Sequence, residues 1–469
     1  MKLYSENKYY KLYQGSMLDM QEVIKPESID SVVTDPPYEL NFMNKGWDNS
    51  GVAFQSNTWK QCYDVLKPGG YLLAFGGSRT YHRIACAIED AGFEIRDTIM
   101  WLYGSGFPKS MNIGLAIDKK NGVDNRTGNM KTDGGVGGGV RCFSDDNYEW
   151  KRVYDERIAQ NKWRGWGTCL KPSFEPIIVA RKPFKTSLLD NIIEYGVGGI
   201  NIEECRVGNE ERINKEHGYS NIMIGGCFEK GTKENKEYVV NGRFPANTIL
   251  TYDDTDFDEV CGGFPDTKSN KTKHNDNREN KGNSMFIDGV HNENNSYQDS
   301  GNACRFFYCA KASKKDRNEG CDDLKDTYSA VSNQAQAEFK RGNDNFADNN
   351  NSTYNKVYIG KNTHPTIKPT ELMQYLIRLV SPNGATILDC FNGSGSTGKA
   401  VMYENKERNK NYKYIGIELT EEYLPISKAR IEYAINGNLK VEKEKKQETP
   451  EGQTTIFDFI KKGDGKNDW

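Results

Sequence analysis

The stretch that most constrains the fold is Asp35-Pro36-Pro37-Tyr38, which follows a β-branched run ending at Thr34. An acid and two prolines after such a run predict a buried parallel strand that stops there, although a simple capped strand end remains the alternative. Prolines fix their own φ at about −65°, so the turn holds the Asp35 carboxylate and the Tyr38 ring in a nearly constant relation. Ligands of open α/β sheets bind at this edge. An acidic acceptor beside a flat ring suits a planar substrate with an exocyclic amine.

The second constraining stretch is the glycine-rich segment 393–398, GSGSTG, between a predicted strand and a predicted helix. With Glu418 ending the next predicted strand, it matches a dinucleotide fingerprint, in which the acid accepts hydrogen bonds from ribose hydroxyls. The same glycines with Lys399 also spell most of a P-loop. Ala400 stands where a magnesium-binding hydroxyl should be, which argues against an NTPase.

A pair of residues on the N-terminal side of these glycines favours a methyl donor over a dinucleotide as the cofactor. Asp389 and Phe391 lie four and two residues before Gly393, the first glycine of the segment. A carboxylate there can meet the amino group of the methionine moiety of S-adenosylmethionine, and Phe391 can cover the cofactor. An anionic pyrophosphate would gain nothing from Asp389. Dinucleotide binding stays open as the less favoured alternative.

A third stretch, His364-Pro365-Thr366-Ile367-Lys368-Pro369, comes just before the glycine-rich unit. Pro369 followed by Thr370 suits the entry to a helix. The same residues can also line a ligand pocket.

These stretches in this order resemble the β class of amino-group DNA methyltransferases, which methylate adenine N6 or cytosine N4 from S-adenosylmethionine. The catalytic strand comes first, a long variable region second and the cofactor strand-turn-helix-strand last, as in that class. The resemblance covers 8–118 and 360–435, and the segments 101–109 and 170–176 are similar to a phage and prophage branch.

The resemblance implies roles for individual residues. Asp35 and the Pro36 carbonyl would accept the N–H groups of the target amine, with Pro37 completing the motif and Tyr38 stacking on the base. The residues that it assigns to the cofactor pocket are Ser16, Asp35, His364, Thr366, Lys368, Asp389, Phe391, Gly393, Gly395, Ser396, Thr397 and Glu418. Ser16 and Cys390 depart from the usual acid and proline, so Ser16 would bring a hydroxyl without a charge and Cys390 would pack beneath the cofactor.

Asp at position 35 favours adenine N6 in double-stranded DNA as the target, because relatives with Ser there more often methylate cytosine N4. Cytosine N4 methylation is the first alternative. A catalytically inactive DNA-binding relative is the second. No metal is expected in either case.

Alternating strands and helices predict an α/β fold with a doubly wound, mostly parallel Rossmann-like sheet, circularly permuted and carrying a long insert. We expect residues 1–118 to form the catalytic half of the methyltransferase domain and 361–436 the cofactor half. Residues 119–360 would be an insert holding the target-recognition region, within which sheet strands can recur. Residues 437–469 would be a charged tail.

Composition restricts the partners. A net charge of −3 excludes a global basic field, so DNA contacts must be local. The eleven cysteines form no CxxC pair and there are five histidines, which disfavours a zinc site. No apolar run reaches membrane-spanning length, so the sequence predicts a cytoplasmic protein without a membrane partner.

Local DNA contacts are predicted in 151–185, which holds nine Lys or Arg against three Asp or Glu. The residues proposed to bind DNA are Arg152, Lys162, Arg164, Lys171, Arg181 and Lys182. A solvated face without a ligand is the alternative reading of this stretch. A cognate restriction endonuclease and a homodimer are further partners that the resemblance allows.

The tail contains one apolar cluster, Gln453-Thr454-Thr455-Ile456-Phe457-Asp458-Phe459-Ile460. It resembles the short peptide by which bacterial DNA-processing proteins bind the replication sliding clamp. A C-terminal clasp on the enzyme's own surface is the alternative.

Overall fold

The structure, a computed structural model, describes residues 1–40, 46–103, 110–122, 159, 161–216, 221–224, 227–230, 236–252, 266–268, 300–311, 314–324, 327–330 and 357–436. The chain divides into two compact units, one formed by Met1–Leu102 with Glu175–Trp469 and one by Tyr103–Phe174. Arg152, Gly134 to Gly139, 341–356, most of 266–300 and the tail from 437 lie outside the described residues.

The strands of the described residues are β1 Lys2–Glu6, β2 Tyr10–Gln14, β3 Ile29–Thr34, β4 Leu66–Phe75, β5 Glu94–Tyr103, β6 Phe174–Arg181, β7 Val207–Glu216, β8 Asn221–Ile224, β9 Cys227–Lys230, β10 Lys236–Arg243, β11 Thr248–Tyr252, β12 Asp266–Lys268, β13 Ser300–Asn302, β14 Tyr308–Lys311, β15 Thr327–Ala330, β16 Val357–Gly360, β17 Thr386–Asp389 and β18 Lys413–Glu418. The α-helices are α1 Ser56–Val65, α2 Tyr81–Asp90, α3 Ile113–Lys120, α4 Leu188–Tyr195, α5 Lys314–Asn318, α6 Thr370–Val380, α7 Ser396–Glu407 and α8 Leu424–Asn436.

Ten of these strands form one sheet in the order β1-β2-β18-β17-β3-β4-β6-β5-β11-β14. Its centre, from β2 to β4, is parallel throughout, whereas β6 runs antiparallel to β4. The predicted Rossmann-like, mostly parallel α/β fold is therefore confirmed. Strands from 174–181, 248–252 and 308–311 join this sheet, although they lie in the stretch predicted as an insert.

The sequence-distant strands β3 and β17 are neighbours in the sheet, with Leu388 paired to Val32. From β17 the chain continues through α7 to β18 on one side, and from β3 it continues through α1 to β4 on the other. Ligands of doubly wound sheets bind at such a switch point, outside the carboxyl ends of the strands. The fold thus places the two most informative sequence stretches side by side.

The central strands are buried because helices cover them. All six residues of β3 are buried, and the core cluster around it includes Trp59, Leu72 and Leu388, each fully shielded from solvent. Near-continuous burial is what a parallel strand covered on both faces requires. The core fixes the positions of the strand ends and therefore of the side chains beyond them.

Two local sequence patterns make predictions that differ from the structure. Ser78 has N-cap chemistry and predicts the start of a helix, and Lys67-Pro68-Gly69-Gly70 predict the end of the helix before it. Helix α2 was expected to have Ser78 as its N-cap, but it begins at Tyr81 after Thr80. The amides of Thr80 and Tyr81 both donate to the Gly77 carbonyl, so a tight turn occupies the positions before the helix. Residues 67–70 were expected to close α1 but form the start of β4.

The unit Tyr103–Phe174 contains α3, whose N-cap Asn112 accepts a hydrogen bond from the Leu115 amide. Trp163 and Trp166 pack edge to face with ring centroids 5.2 Å apart. No helix among the described residues of the chain has the length and apolarity needed to cross a membrane.

Candidate active site

The carboxyl edge of the sheet collects the residues on which the sequence argument rested. Asp35 follows β3, Asp389 ends β17 and Glu418 ends β18. The register aligns these ends, since Asp389 pairs with Gly416 and Val32 with Leu388. Parallel strands in register deliver their terminal side chains to one edge, so the chain builds a single acidic site from two distant segments.

Asp35 lies in a cluster of four polar side chains. The Lys368 Nζ is 2.6 Å from Asp35 Oδ2 and 3.5 Å from Glu175 Oε2. The Tyr38 hydroxyl donates to the same Glu175 oxygen at 2.6 Å. The other Asp35 oxygen, Oδ1, is buried and has no hydrogen-bond partner. A buried carboxylate oxygen without a donor is unusual, and it is free to accept a ligand N–H.

The charges of this cluster fix its protonation. Burial alone would lower the pKa of Lys368, but the charges of Asp35 and Glu175 outweigh burial and raise it above the ordinary value. Burial and the same two carboxylates raise the pKa of Tyr38 well above its usual range. Lys368 is therefore an ammonium and Tyr38 a neutral phenol. Tyr38 acts here as a ring and a hydrogen-bond donor and not as a base.

The turn after β3 is held rigidly by side chains from elsewhere. The Thr80 hydroxyl donates to the Tyr38 carbonyl at 2.8 Å, and Asp48 accepts from the amides of Glu39 and Leu40. Pro36 and Pro37 are buried beneath the turn. A Cβ on Gly77 would approach the Tyr38 ring to 3.2 Å, so this glycine makes room for the ring. The turn Asp35-Pro36-Pro37-Tyr38 is thus pre-organised by its surroundings.

Glu418 and the glycine-rich turn form the neighbouring half of the site. Gly393 donates its amide to Glu418 Oε2 at 2.6 Å, and Thr420 donates to Oε1 at 2.8 Å. Gly393 and Gly395 have φ of +50° and +74°, conformations that favour glycine. Burial raises the pKa of Glu418 to about 7, although these two amides favour its charged form. Each oxygen keeps lone pairs that can accept further donors.

Asp389 connects the two halves. Its oxygens accept hydrogen bonds from Thr34 at 2.7 Å and from Thr397 at 2.6 Å, and the Phe391 amide adds a third at 3.2 Å. Burial raises the pKa of Asp389 to about 6, although these hydrogen bonds favour the charged form. Asp389 therefore anchors the glycine-rich turn to β3, and its contact with a cofactor amine stays a prediction.

Phe391 and Cys390 pack where the turn leaves β17. The Phe391 ring is half-buried against Trp59, with centroids 6.3 Å apart. The Cys390 sulfur is buried 3.7 Å from the Cys62 sulfur. Burial raises the pKa of the Cys390 thiol well above its usual range, so it packs as a neutral group.

The remaining residues assigned to the pocket surround the turn. His364 is edge-on to Tyr423 and donates from Nδ1 to the Thr366 carbonyl at 2.6 Å, and burial lowers its pKa to about 4. A Cβ on Gly393 would lie 2.8 Å from His364 Nε2, so the ring touches the turn. Ser16 caps a 3-10 helix, and the Gly15 amide before it donates to the Glu418 carbonyl. Lys368 alone of the assigned set points to the Asp35 side.

The P-loop alternative is settled by Lys399. Its ammonium is fully buried and forms ion pairs with Asp316 and Glu319. Arg430, also fully buried, donates to the Ser394 carbonyl and to the Ser396 hydroxyl, which supports the turn from behind. A lysine held in this way cannot reach a phosphate, so the glycine-rich turn does not work as a P-loop.

The candidate DNA-binding residues fall into two groups. Lys162, Arg164 and Lys171 are exposed in the unit Tyr103–Phe174. Lys182 is buried, with its ammonium 3.0 Å from Glu27 and donating to the Leu66 carbonyl, and Arg181 pairs with Glu94 at 2.8 Å. A buried, paired ammonium cannot contact a phosphate. The prediction that Lys182 binds DNA is therefore wrong, and the residue is structural. Arg181 is mostly enclosed and committed to its partner, and we leave it out as well.

Glu175 contacts both Tyr38 and Lys368, but no sequence pattern predicts a role for it. Glu175 lies in the segment 170–176 that is similar to the phage and prophage branch, and it precedes a proline and the apolar run 177–180, but neither feature indicates a role in the site. Its place in the site depends on β6 running antiparallel to β4, which periodicity does not reveal.

The family model for DNA methylases of the N6 and N4 type matches residues 29–429. The type II methyltransferase M.HindIII of Haemophilus influenzae is 28% identical over 192 residues, which are 40% of this chain and 48% of that protein. The type II methyltransferase M2.LlaDCHI of Lactococcus lactis subsp. cremoris is 25% identical over 223 residues, 42% of this chain and 82% of that protein. The match thus spans about half of M.HindIII.

Among solved structures, the PvuII cytosine-N4-specific DNA methyltransferase aligns with 92% of this chain and 93% of its own at 14% identity and a TM-score of 0.36. The family model covers the catalytic strand, the glycine-rich turn and most of the residues between and around them. The chain therefore belongs to the N6/N4 family of DNA methylases, whose cofactor is S-adenosylmethionine.

Proposed function

We propose that this protein transfers the methyl group of S-adenosylmethionine to adenine N6 in double-stranded DNA at a short specific site. The observation that carries the proposal is the buried Asp35 Oδ1 without a donor, beside the Tyr38 ring and next to the glycine-rich turn. Asp at this position supports adenine as the target, in line with the tendency noted for the family.

The residues present fit S-adenosylmethionine. Glu418 offers carboxylate lone pairs where ribose hydroxyls would donate, and Gly393 and Gly395 leave a turn that a Cβ would fill. No cation of the described residues lies free at this turn to meet a pyrophosphate, because Lys399 and Arg430 are buried in contacts with protein groups. When bound, the cofactor supplies an electrophilic methyl group on a sulfonium.

Asp35 and Tyr38 would prepare the target amine. The lone pair of adenine N6 is delocalised into the ring, and a hydrogen bond from the amine to Asp35 Oδ1 would draw it out of conjugation. The nitrogen would bond to the methyl carbon while the C–S electrons stay on sulfur, and one N–H proton would pass to Asp35 Oδ1 and from there to water. Holding the reactants in line can offset roughly 7–11 kcal/mol of barrier. The base must leave the duplex first, which costs about a few kcal/mol.

Long-read methylation calling on DNA from cells that express this protein tests the proposal. We expect N6-methyladenine at nearly every copy of one short sequence and unmodified DNA in cells carrying the empty vector. N4-methylcytosine at such a site would show that the target is cytosine N4 and not adenine N6. An unmodified genome, with cofactor binding intact by calorimetry, would identify an inactive DNA-binding relative.

The pH dependence of cofactor binding follows from Glu418. Its carboxyl has a pKa raised to about 7, so the proton must leave before both oxygens can accept hydroxyls. If the ionised form binds, the Kd for S-adenosylmethionine should weaken about tenfold between pH 8 and pH 6. Calorimetry across this range measures it. Glu418→Gln should bind more weakly and show a flattened profile, and an unchanged slope in this variant would transfer the effect to another group, such as Asp389.

DNA contacts are proposed for the unit Tyr103–Phe174. Residues 161–174 carry Lys162, Arg164 and Lys171 and no acid, and all three cations are exposed. Each phosphate contact contributes about −0.9 to the slope of log affinity against log salt. Reversing all three charges to Glu should flatten that slope by about 2 to 3, as measured by fluorescence anisotropy on duplex DNA.

A matched control carries Glu at Lys25, Lys406 and Lys413, which are exposed. Lys25 precedes β3, Lys406 is in the last turn of α7 and Lys413 begins β18, so all three lie toward the edge of the sheet opposite the site. The control should keep the wild-type slope. Equal slopes for both triple variants would place the DNA path elsewhere.

Other partners stay predictions. The sliding-clamp peptide Gln453 to Phe457 and the alternative clasp lie outside the described residues. A cognate restriction endonuclease and a homodimer likewise rest on the resemblance alone.

A further inference from the structure

Glu175 reaches the site because β6 runs against its neighbour. Ile177 pairs with Phe75 at the carboxyl end of β4, and the Gly76 amide donates to the Pro176 carbonyl at 2.9 Å. The start of β6 therefore lies where the parallel strands end. This antiparallel strand brings a carboxylate to the site from outside the three sequence stretches 35–38, 364–369 and 389–398.

One oxygen of Glu175 serves two partners. Its Oε2 accepts the Tyr38 hydroxyl at 2.6 Å and lies 3.5 Å from the Lys368 ammonium. Lys368 is enclosed, with 7% of its side chain exposed, and its shorter contact is the 2.6 Å pair with Asp35 Oδ2. A single buried ammonium is thus shared by two carboxylates. Two carboxylates, one ammonium and one neutral phenol give the cluster a formal charge of −1.

We propose that Glu175 is a positioning residue for methyl transfer, acting through Lys368 and Tyr38. Glu175 shares the Lys368 ammonium with Asp35, so the ammonium does not neutralise Asp35 completely. Lys368 holds Asp35 in place through Oδ2, and Asp35 Oδ1 stays free. Glu175 also fixes the tilt of the Tyr38 ring through the hydroxyl. This inference rests on the proposed function, because it assigns Glu175 to that reaction.

The reaction makes the net charge of this cluster matter. The amine nitrogen gains positive charge as it bonds to the methyl carbon, and a cluster of −1 stabilises that charge in a site shielded from water. Without the Glu175 charge, Lys368 would neutralise Asp35 and the cluster would fall to zero. Among the described residues, Glu175 makes its hydrogen bond and ion pair with Tyr38 and Lys368 and none with Glu418, Gly393 or Asp389. Its loss should therefore affect turnover and not cofactor binding.

Glu175→Gln tests the charge, since glutamine keeps the size and an acceptor oxygen for Tyr38. Transfer of isotope-labelled methyl to duplex DNA should show a kcat lower by about a hundredfold, with KM for DNA and cofactor Kd within about threefold. Measuring total label makes the result independent of which base is methylated. Glu94→Gln, an exposed carboxylate on β5, is the matched control and should retain wild-type kcat.

A second background separates positioning from simple loss of structure. In Lys368→Met protein the charge that Glu175 balances is absent, so adding Glu175→Gln should cost at most about threefold more. Retained cofactor binding shows that each variant is folded. An equal kcat loss in both backgrounds, or a loss confined to cofactor affinity, would overturn the inference. Wild-type protein that transfers no label would instead overturn the proposed function, and the inference with it.

Discussion

Asp35→Ala protein is expected to lose methyl transfer by about 10²–10⁴-fold while its affinity for S-adenosylmethionine changes by no more than several-fold. In the proposed reaction the Asp35 carboxylate binds the target amine through Oδ1, which has no donor, while Oδ2 pairs with Lys368. Glu175 remains as a partner for the ammonium, so the variant is not left with an isolated buried charge. Single-turnover transfer of labelled methyl measures the loss.

The contrasting variant is Asp389→Ala, which should weaken cofactor binding first. Asp389 accepts hydrogen bonds from Thr34, Thr397 and the Phe391 amide, and its removal would release the turn that faces the cofactor. Calorimetry on both variants separates the roles. Near-normal turnover in Asp35→Ala would show that the acceptor role is assigned to the wrong residue.

Asp316→Ala should lower the free energy of unfolding by about 3–5 kcal/mol, the largest stability effect that we expect. Asp316 lies on α5 and forms ion pairs with Lys399 and Arg430, both of which are fully buried. Its carboxylate also accepts from the Thr370 amide and hydroxyl, at 2.8 and 2.6 Å. Removing it leaves two buried cations short of a partner.

Urea unfolding in the absence of cofactor measures this difference. The control is Glu6→Ala, which breaks a 3.5 Å pair with Lys11 in which both side chains are about half exposed. Exposed pairs contribute about 0–1 kcal/mol, so the control should unfold close to wild type. A loss below about 1 kcal/mol in Asp316→Ala would mean that water or Glu319 replaces the missing carboxylate.

Elements with strong local signals were predictable from sequence. Strand β3 and its two prolines, the glycine-rich turn before α7, and Glu418 at the end of β18 carry periodicity or turn chemistry that one strand or helix dictates. The predicted start of α2 was wrong. Ser78 has N-cap chemistry, but the Gly77 carbonyl closes a turn with the Thr80 and Tyr81 amides, so the helix begins later. Local propensity does not record such turns.

The parts of the site that depend on pairing between distant segments were not predictable. The resemblance assigned Lys368 to the cofactor pocket, and its ion pair with Asp35 is a contact that no local pattern predicts. Lys182 was assigned to DNA from local charge, but β6 carries it into the interior. Side-chain direction follows from strand order and register, and these are tertiary properties.

The most direct test of the account is mass spectrometry of nucleosides from duplex DNA treated with purified protein and methyl-labelled S-adenosylmethionine. We predict labelled N6-methyl-2′-deoxyadenosine with wild-type protein and a loss of at least about a hundredfold with Asp35→Ala at saturating cofactor. Labelled N4-methylcytosine alone would change the target base and leave the chemistry of the site intact. Labelled methyladenine at wild-type level with Asp35→Ala would contradict the role of Asp35 as the acceptor of the target amine.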